Sequence, residues 1–436
     1  MKFISTKGKS APVTFVRAAE TGLAPDGGLY MPEVIPALPA SITHASPEIS
    51  IREIAREVTT LFLQEDEIDI PIGTLVEDAI NFDAPLIQLR EDLFVLELFH
   101  GPTLAFKDFG ARFMARLFSS ARFADSRELI ILVATSGDTG GAVANGFYDV
   151  PGVKVGILFP KGKVSDIQRK QMTTLGKNIT AFEIDGVFDD CQRLVKQAFS
   201  DRELNKKIRL SSANSINIAR LIPQSFYYLH AKAQLKNFTE LYPIFSVPSG
   251  NFGNLTAGLM AESMGMQVKK FIAGTNRNDV FPEFLAGKNF KPAPSVQTIS
   301  NAMDVGNPSN FERLLTLFGN NEELLRSHLF GFSFSDDETR SAIREVFEDT
   351  GYIMDPHTAI GLLALEKYRK LNRSKNPGIV LATAHPSKFG PVVEEVIGEP
   401  VELPSRLAAC LDRKEKSLPA GVSYEEFSSK LLELFG

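Results

Sequence analysis

Lys107 stands in HGPTLAFKDFGARFMARL with Leu104, Ala105, Phe106 and Phe109 around it. Most lysines are solvated surface groups, because an ammonium ion is costly to bury. An apolar surround presses this one to give up its charge, and a neutral amine is what Schiff-base chemistry requires. The segment predicts a helix directly after Lys107, capped by Asp108. A second group able to do chemistry is SVPSGNFGNLTAGLMA, residues 246–261, which reads as strand, Gly/Asn turn and helix. Gly250 and Gly253 are expected to take positive φ and turn backbone N–H groups toward one point, where the helix start adds its positive dipole end. That is a cradle for a phosphate dianion, although a plain strand-to-helix turn has the same pattern. The glycine spacing is not that of a dinucleotide fingerprint.

ATSGDTGGAVANG, residues 134–146, repeats the arrangement after the apolar run LIILVA. Ser136 and Thr139 add hydroxyl donors there, so the turn suits a second anion. Two such turns on one sheet suggest a cofactor phosphate and a charged substrate. Thr383, at the end of GIVLAT, reads by itself as one more β-branched residue closing a strand. His100, His357 and His385 lack metal-ligand spacing and read as structural histidines, and no metal is expected. GILFPKGKVS, residues 156–165, imitates a nucleotide loop but has Val164 where Ser or Thr is needed.

These turns need a scaffold. Short apolar runs recur at 129–134, 154–159, 179–184, 243–247, 268–274 and 378–383, bounded by Gly, Pro or polar residues. Runs of that length, separated by helical patterns, read as parallel strands buried on both faces, hence an α/β fold. Phe109, Phe113 and Leu117, and likewise Ile216, Ala219 and Leu229, have spacing suited to amphipathic helices. In IREIAREVTTLFLQ, Ile51, Ile54, Ala55, Val58, Leu61 and Phe62 recur at helical period after a Gly/Pro-rich opening. The chain is therefore expected to divide at 1–95, 96–215 and 216–436, with an irregular insertion around 285–335.

Composition closes off several function classes. With 44% hydrophobic and 23% charged residues the chain is neither disordered nor fibrous. The 53 acidic against 47 basic side chains leave no excess of positive charge for a nucleic-acid partner. No apolar run is long enough for a membrane span, and Cys191 and Cys410 are too isolated for a disulfide framework. A reducing, cytoplasmic setting is expected.

Together, HGPTLAFKDFG, ATSGDTGGAVANG, SVPSGNFGN, MDVGNPSNFER, DPHTAIG and LATAHPSKF, in this order, resemble threonine synthases of the longer bacterial and fungal type. The opening FISTKGKSAPVTF…GLAPDGGLYMPE resembles that family's N-terminal domain. The resemblance implies a tryptophan-synthase-β-like fold of two parallel-sheet domains with an additional N-terminal one. It implies a carbon–oxygen lyase that uses pyridoxal 5′-phosphate and converts O-phosphohomoserine and water to threonine and phosphate, the last step of threonine biosynthesis. On this likeness Lys107 is the Schiff-base lysine, and Gly250, Asn251, Phe252, Gly253 and Asn254 form the cofactor phosphate loop. Thr383 becomes the partner of the pyridine nitrogen, and Ser136, Gly137, Asp138 and Thr139 bracket the substrate carboxylate and the cofactor ring. For the substrate's anionic groups the candidates are Lys161, Lys163, Arg169, Arg277 and Arg313, with Ser309 and Asn310. Serine or threonine dehydratases and cysteine synthases share the fold but need no second phosphate site. A non-catalytic relative that senses a phosphorylated ligand would lack a lysine-bound cofactor.

Overall fold

All six apolar runs become strands in the computed structural model, which describes residues 1–121, 123, 125 and 127–436. They sort into two sheets. The larger has six strands, in the order Leu329–Ser333, Lys270–Thr275, Ile244–Pro248, Gly378–Ala382, Leu93–Glu97 and Leu86–Arg90. All its neighbours are parallel except the last pair, a hairpin. The smaller is wholly parallel, in the order Leu418–Ala420, Ile179–Ile184, Val153–Pro160, Leu129–Ala134 and Arg209–Ser212. Leu129–Ala134 and Gly378–Ala382 are buried at every position, because helices cover both faces of each sheet. A row of backbone groups shielded in this way leaves its C-terminal end as the place where polar side chains can converge. Thr135, Ser249 and Thr383 each follow the C-terminal end of such a strand.

The N-terminal part pairs Phe3–Ser5 with Tyr30–Pro32 in an antiparallel ribbon. Its helix Ile51–Phe62 begins at a capping box, in which Ser50 Oγ accepts from Glu53 N and Glu53 Oε2 accepts from Ser50 N. The helix buries Ile51, Ile54, Ala55, Val58 and Phe62 as its period requires, and Phe3 packs between Phe15 and Phe62 with ring centroids 5.3 and 6.3 Å away. Each such buried large side chain contributes about 1.5–3 kcal/mol relative to exposure.

The expected boundaries shift in three places. Leu86–Arg90 and Leu93–Glu97 straddle the expected limit at 95, yet they complete the larger sheet, because Leu93–Glu97 covers the otherwise open edge of Gly378–Ala382. At the other end, Leu418–Ala420 pairs with Ile179–Ile184, and Phe427 and Leu431 of Tyr424–Phe435 join the apolar cluster of the smaller sheet. The chain's end therefore belongs to the smaller unit, not to the larger one. The irregular insertion holds only to about residue 310, since Phe311–Leu317 and Glu322–His328 are helices and Leu329–Ser333 is an edge strand. Among the described residues no helix is long and apolar enough to cross a membrane.

Candidate active site

Lys107 is the first residue of the helix Lys107–Ser120, so the helix starts at the lysine and not after it. Asp108 does not cap it. Its buried carboxylate accepts from Thr103 N at 2.8 Å and Thr103 Oγ1 at 2.6 Å, which fastens the incoming loop instead. Leu104 takes φ 57°, a left-handed conformation rare for a branched side chain and held by its surroundings. Those surroundings are the strand end Thr383–His385: Phe106 N donates to Thr383 O at 2.9 Å and His385 N to Leu104 O at 3.1 Å. Lys107 and Thr383, far apart in sequence, are thereby registered against each other and line one cavity.

The turn after Ile244–Pro248 lines the same cavity, from Ser249 to Asn254, and the helix Gly253–Ser263 follows it. The positive φ falls on Phe252, at 56°, and on neither Gly250 nor Gly253. The glycines are required for close approach instead. A Cβ on Gly250 would lie 2.6 Å from Met303 Cα, and one on Gly253 3.3 Å from Ser215 Cβ. Phe252 is held in place by Phe281, whose ring centroid is 4.3 Å away. Asn254 spends its side chain on the turn itself, accepting from Ser249 Oγ at 2.5 Å and donating to Pro248 O at 2.9 Å. The backbone N–H groups of residues 250–253 donate to no acceptor among the described residues. Unpaired donors at a helix N-terminus, beside a lysine, fit the phosphate of pyridoxal 5′-phosphate.

The second turn follows a strand of the smaller sheet, so the two turns reach one cavity from two sheets and not from one; its Gly137 has φ 143° and precedes the helix Asp138–Gly146. Thr135 Oγ1 accepts from Gly137 N and Gly140 N, each at 2.9 Å. Ser136, Asp138 and Thr139 face the cavity, and Gly137 lies just behind it against Gln168. Asp138 is not free to meet a ligand alone. Its Oδ1 receives Lys388 Nζ at 2.7 Å and Gln168 Nε2 at 2.8 Å. Lys388, only 1% exposed, also donates to Thr103 O at 2.9 Å. Burial would raise the Asp138 pKa, but the charges of Lys388 and Lys107 outweigh it and hold the carboxyl well below the usual range. Burial also pulls the Lys107 ammonium down to about 8; Asp138 opposes this, and the cations Arg220 and Lys388 add to it.

Arg220 is a cation that local sequence reasoning missed. Its guanidinium is 3% exposed, lines the cavity, donates from Nη1 to Ala213 O and leaves Nε without a partner. Burial lowers its pKa to about 10, with Asp108 opposing the shift. The available signal was an arginine inside the apolar run of Ile216 to Ile222, the same anomaly that marks Lys107. Lys388, which follows His385, Pro386 and Ser387, carried no such signal. His357 also reaches the cavity, with Nδ1 2.6 Å from Asp355 Oδ2, while its Nε2 accepts from Ala302 N at 3.2 Å. His100 is bonded to Glu97 and His385 to Ser387.

Several expected anion binders stand elsewhere. Lys161, Lys163 and Arg277 are exposed and do not line the cavity, because their turns face solvent. Arg169 is paired with Asp166 at 3.1 Å and with Glu415. Ser309 and Asn310 lie behind the 250–254 turn and bond to Asn251 through its Oδ1 and O. Arg313 is fully buried and has no donor left for a ligand, since all five N–H groups are spent on protein oxygens.

A family model described as pyridoxal-phosphate dependent enzyme matches residues 80–384, and models for the threonine synthase N terminus and C-terminal part match 2–79 and 358–422. The threonine synthase of Escherichia coli strain K12 is 43% identical over 427 residues, covering 96% of this chain and 97% of that protein. A crystal structure of threonine synthase from Escherichia coli superposes with TM-score 0.92 at 41% identity, covering 100% of both chains. A structure of PLP-bound threonine synthase from Brucella melitensis gives TM-score 0.90 at 36% identity, covering 100% of this chain and 99% of that one. A lysine beside an anion cradle at the strand ends, and these likenesses along the whole chain, have one common account: the chain belongs to the threonine synthase family of pyridoxal-phosphate dependent enzymes.

Proposed function

We infer that the chain converts O-phosphohomoserine and water to threonine and phosphate with pyridoxal 5′-phosphate as cofactor. The carrying observation is that one cavity is lined by Lys107, by the 250–253 turn whose backbone amides have no acceptor among the described residues, and by the buried Arg220, two groups suited to two anions. A dehydratase of the same fold needs only the first. Bound there, pyridoxal 5′-phosphate supplies the electron sink for carbanion chemistry. Lys107 Nζ would hold the cofactor covalently and, as a free amine, would take and return protons at the substrate's α and β carbons. Gly250, Asn251, Phe252, Gly253 and Asn254 seat the cofactor phosphate. Ser136, Thr139 and the helix start behind them take the substrate carboxylate, with Lys388 neutralising Asp138 so that its charge does not repel the ligand. Arg220 takes the substrate phosphate and offsets the charge of the departing dianion. Thr383 offers a neutral hydroxyl to the pyridine nitrogen. Two unpaired thiols, Cys191 and Cys410, suit a cytoplasmic setting.

The test is phosphate release from O-phosphohomoserine, measured against ammonia release from serine and threonine. Ammonia without phosphate would assign a dehydratase. Two substitutions probe the anion sites. Gly250→Ala is expected to weaken cofactor binding by roughly tenfold or more, because the added Cβ meets Met303 backbone and not a flexible side chain. An unchanged cofactor titration would remove the turn from the cofactor site. Arg220→Gln is expected to raise KM for O-phosphohomoserine by on the order of tenfold to a hundredfold, the loss of a charge-assisted pair, with a smaller change in cofactor affinity. An unmoved KM would make Arg220 purely structural.

A further inference from the structure

Arg313 is a buried guanidinium that makes no ion pair within 4 Å among the described residues, and its donors join three parts of the chain. Nε and Nη2 donate to Tyr30 O at 3.2 and 3.0 Å in the N-terminal ribbon. Nη2 also donates to Ile216 O at 2.7 Å, and Nη1 to Ser215 O at 3.0 Å, in the segment joining the two sheets. The fifth bond, Nη1 to Asn310 Oδ1 at 2.9 Å, leads toward the cavity. Asn310 Nδ2 donates in turn to Asn251 O at 2.9 Å, and Asn251 Nδ2 to Ser215 Oγ at 2.6 Å. A buried arginine with no direct ion pair is expensive unless every donor is satisfied, and only a planar five-donor fork can reach these acceptors together.

We propose that Arg313 is a positioning residue through which the N-terminal unit, by way of Asn310, fixes the 250–253 turn for the cofactor phosphate. The inference rests on reading that turn as the phosphate cradle. Reciprocity follows: if docking of the ribbon favours cofactor binding, cofactor binding tightens the ribbon.

The test uses the full chain freed of cofactor and titrated with pyridoxal 5′-phosphate, for wild type, Asn310→Ala and Asn310→Asp. The Asp variant is isosteric and keeps the acceptor for Arg313 but loses the donor to Asn251 O, so it cuts the relay on the loop side with little effect on packing. Both variants are expected to weaken cofactor binding roughly tenfold. Hydrogen exchange supplies a readout that mere packing would not move. Cofactor should slow exchange of the amides at residues 28–33 in wild type and cease to do so in either variant. Cofactor affinity within about twofold of wild type in both variants, or slowing at 28–33 that survives in them, overturns the proposal. Gly250→Ala, titrated alongside, separates the two ways to fail. If it weakens binding while the Asn310 variants do not, the relay alone is wrong; if none of the three weakens binding, the cradle reading falls and the relay with it.

Discussion

Lys107→Ala is expected to abolish turnover and remove the visible absorption of the lysine-bound cofactor. Two losses combine. The covalent anchor disappears, and so does the amine that moves protons at the substrate, a contribution of about 10²–10⁴ in rate for a positioned acid–base group. Lys107→Arg separates charge from chemistry, because a guanidinium stays charged and cannot take up the role of a neutral amine. It should be as inactive as the alanine variant. The wild-type amine is held near 8 by burial, so its neutral fraction grows as pH rises through that value. Uptake of cofactor by the cofactor-free protein should therefore accelerate between about pH 7 and 9 and level off above. A Lys107→Ala protein that keeps both the band and the activity would overturn the assignment.

Lys388→Met should carry the largest stability loss. The side chains of Lys388 and Asp138 are 0% and 4% exposed and 2.7 Å apart, so solvent screens the pair very little. Removing one partner of such a pair typically costs about 3–5 kcal/mol, because the remaining charge stays buried and uncompensated. The double variant Lys388→Met with Asp138→Asn should recover much of that loss, since no bare carboxylate remains. The sign with pH follows from the depressed Asp138 pKa. Its contribution in wild type is present above the ordinary aspartate value of about 4 and fades as acid carries the pH below it toward the folded value. The denaturant midpoint of the three proteins, followed from neutral pH into acid, measures this. A Lys388→Met protein as stable as wild type would show that Asp138 is compensated by other groups.

Lys107 and the turn at 250–254 could be read from the sequence because each is a contiguous pattern. A strand, a small-residue turn and a helix start are encoded by neighbouring residues, and so is a lysine embedded in an apolar run. The six apolar strands and the capped helix Ile51–Phe62 were legible for the same reason. Local pattern did not tell which cations meet the ligand. Beyond the apolar run around Arg220, nothing local separates Arg169, Arg220, Arg277, Arg313 and Lys388, and their side chains end on a carboxylate, in a cavity, in solvent, among carbonyls and on Asp138. The inner strand at 93–97 and the returning C-terminal helix were hidden likewise, because a strand's sheet depends on the partner that arrives from elsewhere in the chain. The α/β scaffold, a lysine set in an apolar segment and the strand–turn–helix at 246–261 were already legible in adjacent residues, since these set local backbone geometry. That Lys388 compensates Asp138, that Arg220 faces the cavity and that Arg313 lies behind the 250–254 turn became visible only in the fold, since charge compensation and burial are set by segments far apart in the chain that folding brings together.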